Sequence, residues 1–431
     1  MKIEELYSCF VKSTGITTDT RKCSKGMMFV ALKGENFDGN SYAGTALEQG
    51  CSYAVVDNAD YADPADGRFI VVDNVLLALQ QLARYHRRQM GTLVLGITGT
   101  NGKTTTKELV ATVLKQRYNV LYTQGNLNNH IGVPLTLLGI TREHEIAVVE
   151  MGANHPGDIQ ELVGIAEPDC GLITNVGLAH LQGFGSLEGV IRTKGELYDY
   201  LRETGHSIIF LNVDDHSLTS IAGGLKAVTY GQAPDAVVCG EVIACDPYLR
   251  FRWRKQGGAW HKVDTNLIGR YNLDNALCAV AVGCHFGVSP ESVSAALANY
   301  VPRNNRSQLT QTECNTLIVD AYNANPTSMK AALDNFARMD MPRKMVILGD
   351  MKELGEATCV AHQEVVDMLA HCSIDEAWLV GEAFAQTEHT QRTFADVEAV
   401  KVALQAEMPM GCCILIKGSN SMKLASLVPY L

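Results

Sequence analysis

Long apolar runs are missing from this sequence, and so is any excess of positive charge. Its 431 residues carry 36 Lys and Arg against 47 Asp and Glu, a formal net charge of −11 at pH 7. No apolar run reaches the roughly 18 residues that a membrane-spanning helix needs. The opening MKIEELYSCF has no apolar segment of the kind found in secretory signals. We therefore expect a cytoplasmic protein that neither inserts into membranes nor binds nucleic acid through general electrostatic attraction.

Paired cysteine motifs are absent as well. The 13 cysteines are odd in number and scattered, Cys412 and Cys413 are adjacent, and no C-x-x-C pair occurs. This usage argues against a disulfide framework and a structural zinc site, and it is typical of reduced thiols in the cytosol.

The stretch from Leu93 to Leu114 carries the strongest functional signal. A short apolar run, Leu93–Leu95, is followed by a turn of small residues, by Lys103 and Thr104, and by a helical apolar pattern. Strand, glycine turn, Lys-Thr and helix is the layout of a phosphate-binding loop, in which backbone amides and the helix N-terminus hold phosphate oxygens. The lysine then neutralises phosphate charge and the threonine hydroxyl reaches Mg²⁺.

The glycine spacing departs from the strict G-x-x-x-x-G-K-[ST] pattern. Ile97 stands where that pattern has its first glycine, and the glycines fall at Gly96 and Gly99 instead. A ligand-free glycine turn is the alternative interpretation. The Gly-Lys-Thr sequence between a strand and a helix favours the phosphate loop.

Polar residues follow several predicted strands. Glu150 ends the run Ile146–Val149, and His180 lies shortly after the strand 172–176. Ligand groups of open α/β sheets lie at such carboxyl ends, so a metal role for Glu150 is favoured over a plain strand-end carboxylate. A structural histidine and a surface lysine remain the alternatives for His180 and for Lys194, which we expect at the start of a helix.

The length and the alternation of strand and helix patterns predict three α/β units, at residues 1–85, 86–307 and 308–431. The segment 226–263 has short alternating runs and is expected to form an antiparallel meander. Asn272 and Asn275 start an apolar helix, where they either cap the helix or face a ligand as well. For Asp19-Thr20-Arg21, a solvated turn with a local ion pair is the simplest interpretation of the composition.

Several motifs together resemble the Mur ligase superfamily along nearly the full length. The loop Gly99–Thr105 is shared across that superfamily. Three stretches are more specific and resemble the branch that adds D-alanyl-D-alanine; they are Asp320–Pro326, Gly125–Asn129 and Leu348–Gly355. Asp19–Arg21 and Gly34–Gly39 resemble its UDP-sugar-binding domain. The connector Arg303–Arg306 departs from the glycine-arginine form of the family.

The resemblance implies a three-domain α/β fold. A central P-loop ATPase domain with a parallel sheet is flanked by an N-terminal α/β UDP-sugar domain and a C-terminal Rossmann-like α/β domain. It also implies site residues. Lys103, Lys194, His180 and Asn323 are the expected catalytic residues. ATP is expected to contact Gly99, Thr100, Asn101, Gly102, Lys103, Thr104, Thr105, Asn272, Arg306, Asp320 and Asn325, with Asp350 or its neighbours also near the nucleotide.

The remaining implied roles concern Mg²⁺ and the UDP-linked substrate. Thr104 and Glu150 are expected to hold one Mg²⁺, and His180 with a carbamylated Lys194 a second, because a carbamate supplies the oxygen donors that Mg²⁺ prefers. The expected UDP-sugar and peptide contacts are Thr20, Arg21, Asn36, Asp38, Asn126 and Asn129.

By the same resemblance the chain is an ATP-dependent ligase of peptidoglycan synthesis, acting as a monomer. The carboxylate of UDP-N-acetylmuramoyl-tripeptide would take the γ-phosphoryl group, and the amine of D-alanyl-D-alanine would displace phosphate from the acyl phosphate. Related ligases that add another amino acid, or that extend folate with glutamate, are the first alternative. A nucleotide-dependent switch without ligase activity is the second.

Overall fold

Each third of the chain is built around its own mostly parallel β-sheet. The computed structural model describes residues 2–206, 208–302 and 308–431, and within these ranges the strands form sheets of four, nine and six strands plus a two-stranded hairpin. The α/β class and the three-part architecture expected from the sequence are confirmed.

The N-terminal part has a small parallel sheet of order β1-β2-β5-β6. Its elements are α1 Ile3–Lys12, β1 Ile16–Thr17, β2 Met28–Val30, β3 Lys33–Gly34, β4 Phe37–Asp38, α2 Ala43–Glu48, β5 Tyr53–Val56, β6 Phe69–Val71 and α3 Val75–Met90. Helix α3 begins where the Asn74 side chain accepts a hydrogen bond from Leu77 N, and it ends at Gly91 in the left-handed region. It packs on α1 and also on helices of the central part, so it crosses the position 85/86 predicted as a boundary.

The central part contains the nine-stranded sheet. Its elements are β7 Leu93–Thr98, α4 Lys103–Leu114, β8 Val120–Tyr122, α5 Gly132–Leu137, β9 Ile146–Glu150, α6 Asp158–Ala166, β10 Cys170–Ile173, α7 Leu181–Phe184, α8 Leu187–Thr204, β11 Ile208–Asn212, α9 His216–Ile221, β12 Lys226–Gly231, β13 Val238–Cys245, β14 Tyr248–Lys255, β15 His261–Ile268, α10 Asn272–His285 and α11 Pro290–Asn299.

The strand order β15-β14-β13-β12-β11-β10-β7-β9-β8 places β7 between β9 and β10. All three strands are parallel, so their carboxyl ends meet at one edge of the sheet. Helices α3, α5, α6 and α8 cover one face, and α4, α10 and α11 cover the other. Burial on both faces explains why β7 and β9 are almost uninterrupted apolar runs.

The meander prediction for 226–263 is partly wrong. Strands β13, β14 and β15 are antiparallel as expected, but β12 pairs in parallel with both β11 and β13. Its register along β11, from Lys226 opposite Ile208 to Tyr230 opposite Asn212, extends the parallel sheet instead.

The C-terminal part has a six-stranded sheet of order β16-β17-β21-β18-β19-β20, in which the edge strand β16 is antiparallel. Its elements are β16 Gln308–Gln311, β17 Thr316–Asp320, α12 Pro326–Ala337, β18 Lys344–Gly349, α13 Thr358–Leu369, β19 Glu376–Val380, α14 Glu382–Ala385, β20 Arg392–Phe394, α15 Val397–Ala406 and β21 Cys413–Lys417. Ile268 and Tyr248 of the central part pack into its core beside α12, which joins the two parts.

All thirteen cysteines lie within the described residues and are free thiols. Across 2–206, 208–302 and 308–431, every helix is too short or too polar to cross a bilayer.

Candidate active site

A cleft of about 680 Å³ lies where the carboxyl ends of β7 and β9 face the C-terminal part. The loop after β7, the end of β9 and the start of α10 line one side. The loop after β17 and the first turn of α12 line the other. This is the position at which open α/β sheets bind ligands, and here it is also a contact between two domains.

The glycines of the loop are required by its backbone. Gly99 and Gly102 have φ angles of 142° and 77°, in a region that side chains disfavour. A Cβ on Gly99 would lie 2.0 Å from Thr174 Oγ1, and one on Gly102 would lie 2.5 Å from Asn275 Oδ1. The irregular glycine spacing therefore fits this particular loop geometry.

Two residues that follow β10 form hydrogen bonds with the backbone of the phosphate loop. Thr100 N donates to Asn175 O at 2.9 Å, and Asn101 N donates to Asn175 Oδ1 at 3.0 Å. Thr174 Oγ1 and Asn175 Nδ2 both donate to Asn101 O. Neither Thr174 nor Asn175 was assigned to the site from the sequence, because both fell inside the strand predicted for 172–176, whereas β10 ends at Ile173.

Lys103 is the first residue of α4, and its ammonium group lies over the loop. Its Nζ donates to Gly99 O at 2.7 Å and to Thr100 O at 3.0 Å. The helix N-terminus and this cation point at the same space, which favours an anionic group there.

Glu150 is buried at the end of β9 and is surrounded by polar groups. The Thr104 hydroxyl donates to its carboxylate at 3.0–3.2 Å, and Asn128 Nδ2 donates to Oε1 at 2.9 Å. Lys107 Nζ lies 3.8 Å from Oε2, with both side chains at most 2 % exposed. Thr104 and Glu150 were expected together and are found together. Asn128 and Lys107 were not assigned from the sequence, although Lys107 lies one helical turn after Lys103.

A carboxylate and a hydroxyl in contact, both lining the cleft beside the phosphate loop, are hard oxygen donors. Such donors suit Mg²⁺, so Thr104 and Glu150 are the residues that would hold one ion here. His180 also lines the cleft, and its ring contacts the Glu353 carboxylate. Burial lowers the pKa of His180, Glu353 opposes this, and Lys103 and Lys194 lower the pKa further. A neutral imidazole can serve as a metal ligand.

Lys194 lies under the floor of the cleft, behind Ala153. Its Nζ is 3.4 Å from Ala153 O and 5.2 Å from the centre of the Phe184 ring, and the residue is 2 % exposed. The expected position at a helix start is wrong, because Ser186 caps α8 two turns earlier. Burial, with Lys103 adding to it, holds the pKa of Lys194 well below its usual value. The Lys194 amine therefore loses its proton more readily than a surface lysine does. The neutral amine is the form that reacts with carbon dioxide.

The C-terminal part reaches the loop through Asn325. Its Nδ2 donates to Asn101 Oδ1 at 2.8 Å, while its Oδ1 accepts from Ser328 N and so caps α12. Asp320, at the end of β17, forms an ion pair of 2.5 Å with the buried Lys417, which also donates to Asn323 O. Asp320, Asn323 and Lys417 all line the cleft, and Lys417 was not assigned from the sequence.

Asn272 and Asn275 lie in the first turn of α10 and line the cleft. They bond to each other at 2.8 Å, and Asn272 Nδ2 donates to Ile268 O. Neither is the capping residue, which is Tyr271. Thr106 Oγ1 donates to Asn275 Oδ1, which ties α10 to the helix of the phosphate loop. Of the two alternatives left open, the structure supports cleft residues over caps.

Other expected residues lie elsewhere among the described ranges. Thr20, Arg21, Asn36 and Asp38 lie in the N-terminal part, outside the cleft lining. Arg21 is exposed and paired with Asp19, and this bonding lowers the pKa of Asp19 to about 2. The local ion pair that the composition suggested is thus present.

The two expected asparagines of the loop after β8 differ in their position relative to the cleft. Asn129 lines the cleft and its Oδ1 accepts from Ile131 N and Gly132 N, whereas Asn126 is exposed outside the lining. Asp350 is buried under α14 and accepts from Ala383 N and Phe384 N, so it serves its own domain. Arg306 lies outside the described residues.

Comparison with known proteins gives a consistent assignment along the chain. Three family models match: the Mur ligase family catalytic domain at residues 12–87, the Mur ligase middle domain at 97–283 and the Mur ligase glutamate ligase domain at 305–420.

Two curated relatives and one solved structure illustrate the similarity. UDP-N-acetylmuramoyl-tripeptide–D-alanyl-D-alanine ligase of Bacillus subtilis is 35% identical over 96% of this chain and 92% of the relative. The Escherichia coli ligase of the same name is 36% identical over 98% and 95%. The structure of MurF ligase from Thermotoga maritima in complex with ADP has a TM-score of 0.86 at 25% identity, covering 98% of this chain and 97% of that one.

Proposed function

This chain belongs to the Mur ligase family, and we infer that it joins D-alanyl-D-alanine to UDP-N-acetylmuramoyl-tripeptide. It joins the two substrates with ATP and Mg²⁺ in peptidoglycan synthesis and releases ADP and phosphate. The observation that carries this function is the 35–36% identity to curated ligases of that name over nearly the whole chain. The Mur-type phosphate loop, facing the Asn323–Asn325 segment across one cleft, agrees with it.

The phosphate loop sets the place of ATP in this proposal. The loop Gly99–Gly102 and the N-terminus of α4 would surround the phosphates, and Lys103 would move its ammonium group from the loop carbonyls to the β/γ oxygens. Thr105 belongs to the same first turn. Asn272 lies on the same side of the cleft as the loop, where it is proposed to face the adenine. Asp320 and Asn325 are proposed to contact the nucleotide from the C-terminal side, and Arg306 remains a further proposed nucleotide contact.

Bound Mg²⁺ would neutralise the negative charge on the phosphoryl group that is transferred. Thr104 and Glu150 would hold one ion, with Asn128 and Lys107 orienting the carboxylate. His180 and Lys194 would hold the second. For this purpose the neutral Lys194 amine attacks carbon dioxide, a C–N bond forms and one proton leaves. The lowered pKa of Lys194 favours this reaction, and the resulting carbamate would be an anion with two oxygen donors.

The reaction proceeds in two displacements. A carboxylate oxygen of the tripeptide attacks the γ-phosphorus, the bond from that phosphorus to the bridging oxygen breaks, and ADP leaves. The amine nitrogen of D-alanyl-D-alanine then attacks the acyl carbon, phosphate leaves with the original carboxylate oxygen, and the nitrogen loses a proton. Lys103 stabilises charge on the transferred group, and Asn323 with Asn325 orients the incoming dipeptide.

The N-terminal part is proposed to bind the UDP-sugar through Thr20, Arg21, Asn36 and Asp38. Asn126 and Asn129 would contact the peptide from the loop after β8. The chain is proposed to act as a monomer. A cytoplasmic location agrees with the use of ATP and of a UDP-linked substrate.

Phosphate release with UDP-N-acetylmuramoyl-tripeptide, ATP and a panel of amines tests the proposal. D-Alanyl-D-alanine should be the amine that drives release. The same assay decides between the alternatives, because release driven by a diamino acid or by glutamate would indicate a neighbouring ligase. Hydrolysis independent of both acceptor and amine would indicate a nucleotide switch.

A further inference from the structure

Two left-handed residues meet across the boundary between the central and C-terminal parts. Among the described non-glycine residues, four have positive φ, and two of these are His180 at 50° and Glu353 at 64°. The imidazole Nδ1 of His180 contacts the carboxylate of Glu353. Non-glycine residues in this region carry backbone strain, and such strain is concentrated at functional sites and switch regions.

Burial of neighbouring residues and backbone hydrogen bonds hold the chain in place around Glu353 and His180. On the C-terminal side, the exposed residues Lys352 and Glu353 lie between two buried residues, Met351 and Leu354. Lys352 N donates to Ser419 Oγ at 3.0 Å. These contacts fix the direction in which Glu353 projects. On the central side, the carbonyl of His180 accepts from Gly183 N and Phe184 N at the start of α7.

The two backbones also touch. Gln182 N donates to Glu353 O at 3.3 Å, and a Cβ on Gly355 would lie 3.6 Å from Gln182 Cα. The contact between the side chains is therefore part of a docked surface between the domains. It is separate from the Asn101–Asn325 contact at the phosphate loop.

The way in which histidine binds metal ions indicates a role for the contact between His180 and Glu353. A histidine that binds a metal through one ring nitrogen usually donates its other N–H to a carboxylate, which fixes the tautomer and the ring direction. With Nδ1 against Glu353, the nitrogen left for a cation is Nε2. His180 lines the cleft, so the metal would lie on the cleft side.

We propose that Glu353 is an interdomain positioning residue that orients His180 for the second Mg²⁺, so that this metal site is complete only when the C-terminal domain is docked. The inference rests on the proposed function, because that function calls for the ion. Docking of the C-terminal domain would therefore complete the metal site at the same time as it brings the residues at the start of α12 to the nucleotide and the dipeptide.

The test measures Mn²⁺ binding by electron paramagnetic resonance, with a non-hydrolysable ATP analogue and UDP-N-acetylmuramoyl-tripeptide present. Glu353→Ala should weaken one of the two Mn²⁺ sites about 10-fold or more, as loss of an outer carboxylate does elsewhere, and leave the other unchanged. Glu353→Gln keeps an acceptor oxygen and should fall between. Small-angle scattering of the same samples should show Glu353→Ala shifted toward a more open domain arrangement.

Two further variants separate this role from folding. Glu356→Ala removes the same charge from the same exposed segment and should leave both Mn²⁺ sites intact. Glu353→Gly relieves the left-handed strain, so it should keep or raise the thermal midpoint while still weakening the site.

Unchanged Mn²⁺ affinity in Glu353→Ala would overturn the proposal, provided that the wild-type protein ligates D-alanyl-D-alanine in the same buffer. Absence of wild-type ligation would instead overturn the proposed function. The two failures are thus distinguishable.

Discussion

Lys194 is the residue whose chemistry depends most on burial. An ammonium group with 2 % exposure beside an aromatic ring and a single carbonyl is costly, and the lowered pKa is the physical consequence. Carbamylation, as proposed, would turn this buried amine into a metal ligand. The expected metal role of Lys194 came only from the family resemblance, because no local sequence pattern distinguishes a buried lysine from a surface one.

Replacement of Lys194 tests that assignment. Lys194→Ala should lower kcat about 100-fold or more, since a ligand to the second ion is lost, and high bicarbonate at slightly acid pH should not restore it. Arg192→Ala, on an exposed position of the same helix, is the matched control. Wild-type protein in labelled bicarbonate should show a carbamate carbon resonance that the variant lacks. Full activity of Lys194→Ala would remove the carbamate from the mechanism.

Asp274 makes a second prediction at the residue scale. Burial, with Asp214 and Asp215 nearby, raises its pKa to about 6. Between about pH 4 and 6 the folded state keeps a proton that the unfolded state has lost, so the free energy of unfolding falls as pH rises through this window. Above it the ionised group costs on the order of 1–2 kcal/mol, allowing for water in the cleft that it lines.

Urea denaturation at several pH values measures this effect. Asp274→Asn should be more stable than wild type above pH 6, and the difference should vanish toward pH 4. Asp235→Asn, on the exposed surface, should show no such trend. A stability difference that does not change with pH would contradict the assignment.

Local sequence signals explain part of the site. Glu150 and Thr104 could be predicted together because a strand end and a phosphate loop are both visible in the pattern. Lys417 and Thr174 could not, since their roles arise from strand order: β21 lies beside β17, and β10 lies beside β7. Sheet order is set by long-range pairing that no short window records.

At the scale of elements, α12 depends on its capping residue. Asn325 caps the helix and also bonds to Asn101 of the phosphate loop. Asn325→Ala should cost about 1 kcal/mol of stability for the cap. It should also raise KM for ATP roughly 5-fold, because one interdomain hydrogen bond is lost.

The matched control is Asp396→Ala, which removes the cap of α15, where the side chain accepts from Ala399 N. It should lower stability by a similar amount and leave KM for ATP unchanged. Denaturation and steady-state kinetics on both variants measure the two effects. Equal KM values would mean that Asn325 acts only as a cap.

Element types were more predictable than element partners. The strand ending at Glu150 and the helix after the phosphate loop follow from apolar periodicity, and both are present. Strand β12 shows the limit, because its alternating residues suit either a parallel or an antiparallel neighbour. Its actual pairing is decided by the register with β11.

At the scale of the whole molecule, the three parts are joined by specific contacts. Helix α3 packs on both the N-terminal and the central part, and Ile268 and Tyr248 enter the core of the C-terminal part. The phosphate loop meets Asn325, and His180 meets Glu353. Docked domains would keep water from the acyl phosphate, which hydrolyses when exposed.

The central claim is that ATP, the tripeptide and D-alanyl-D-alanine are consumed together through an acyl phosphate. Its most direct test uses tripeptide whose terminal carboxylate is labelled with heavy oxygen, with mass analysis of the released phosphate. We predict that phosphate appears when D-alanyl-D-alanine is present and that each phosphate carries one heavy oxygen. Phosphate without the label, or release that does not depend on D-alanyl-D-alanine, would contradict the account.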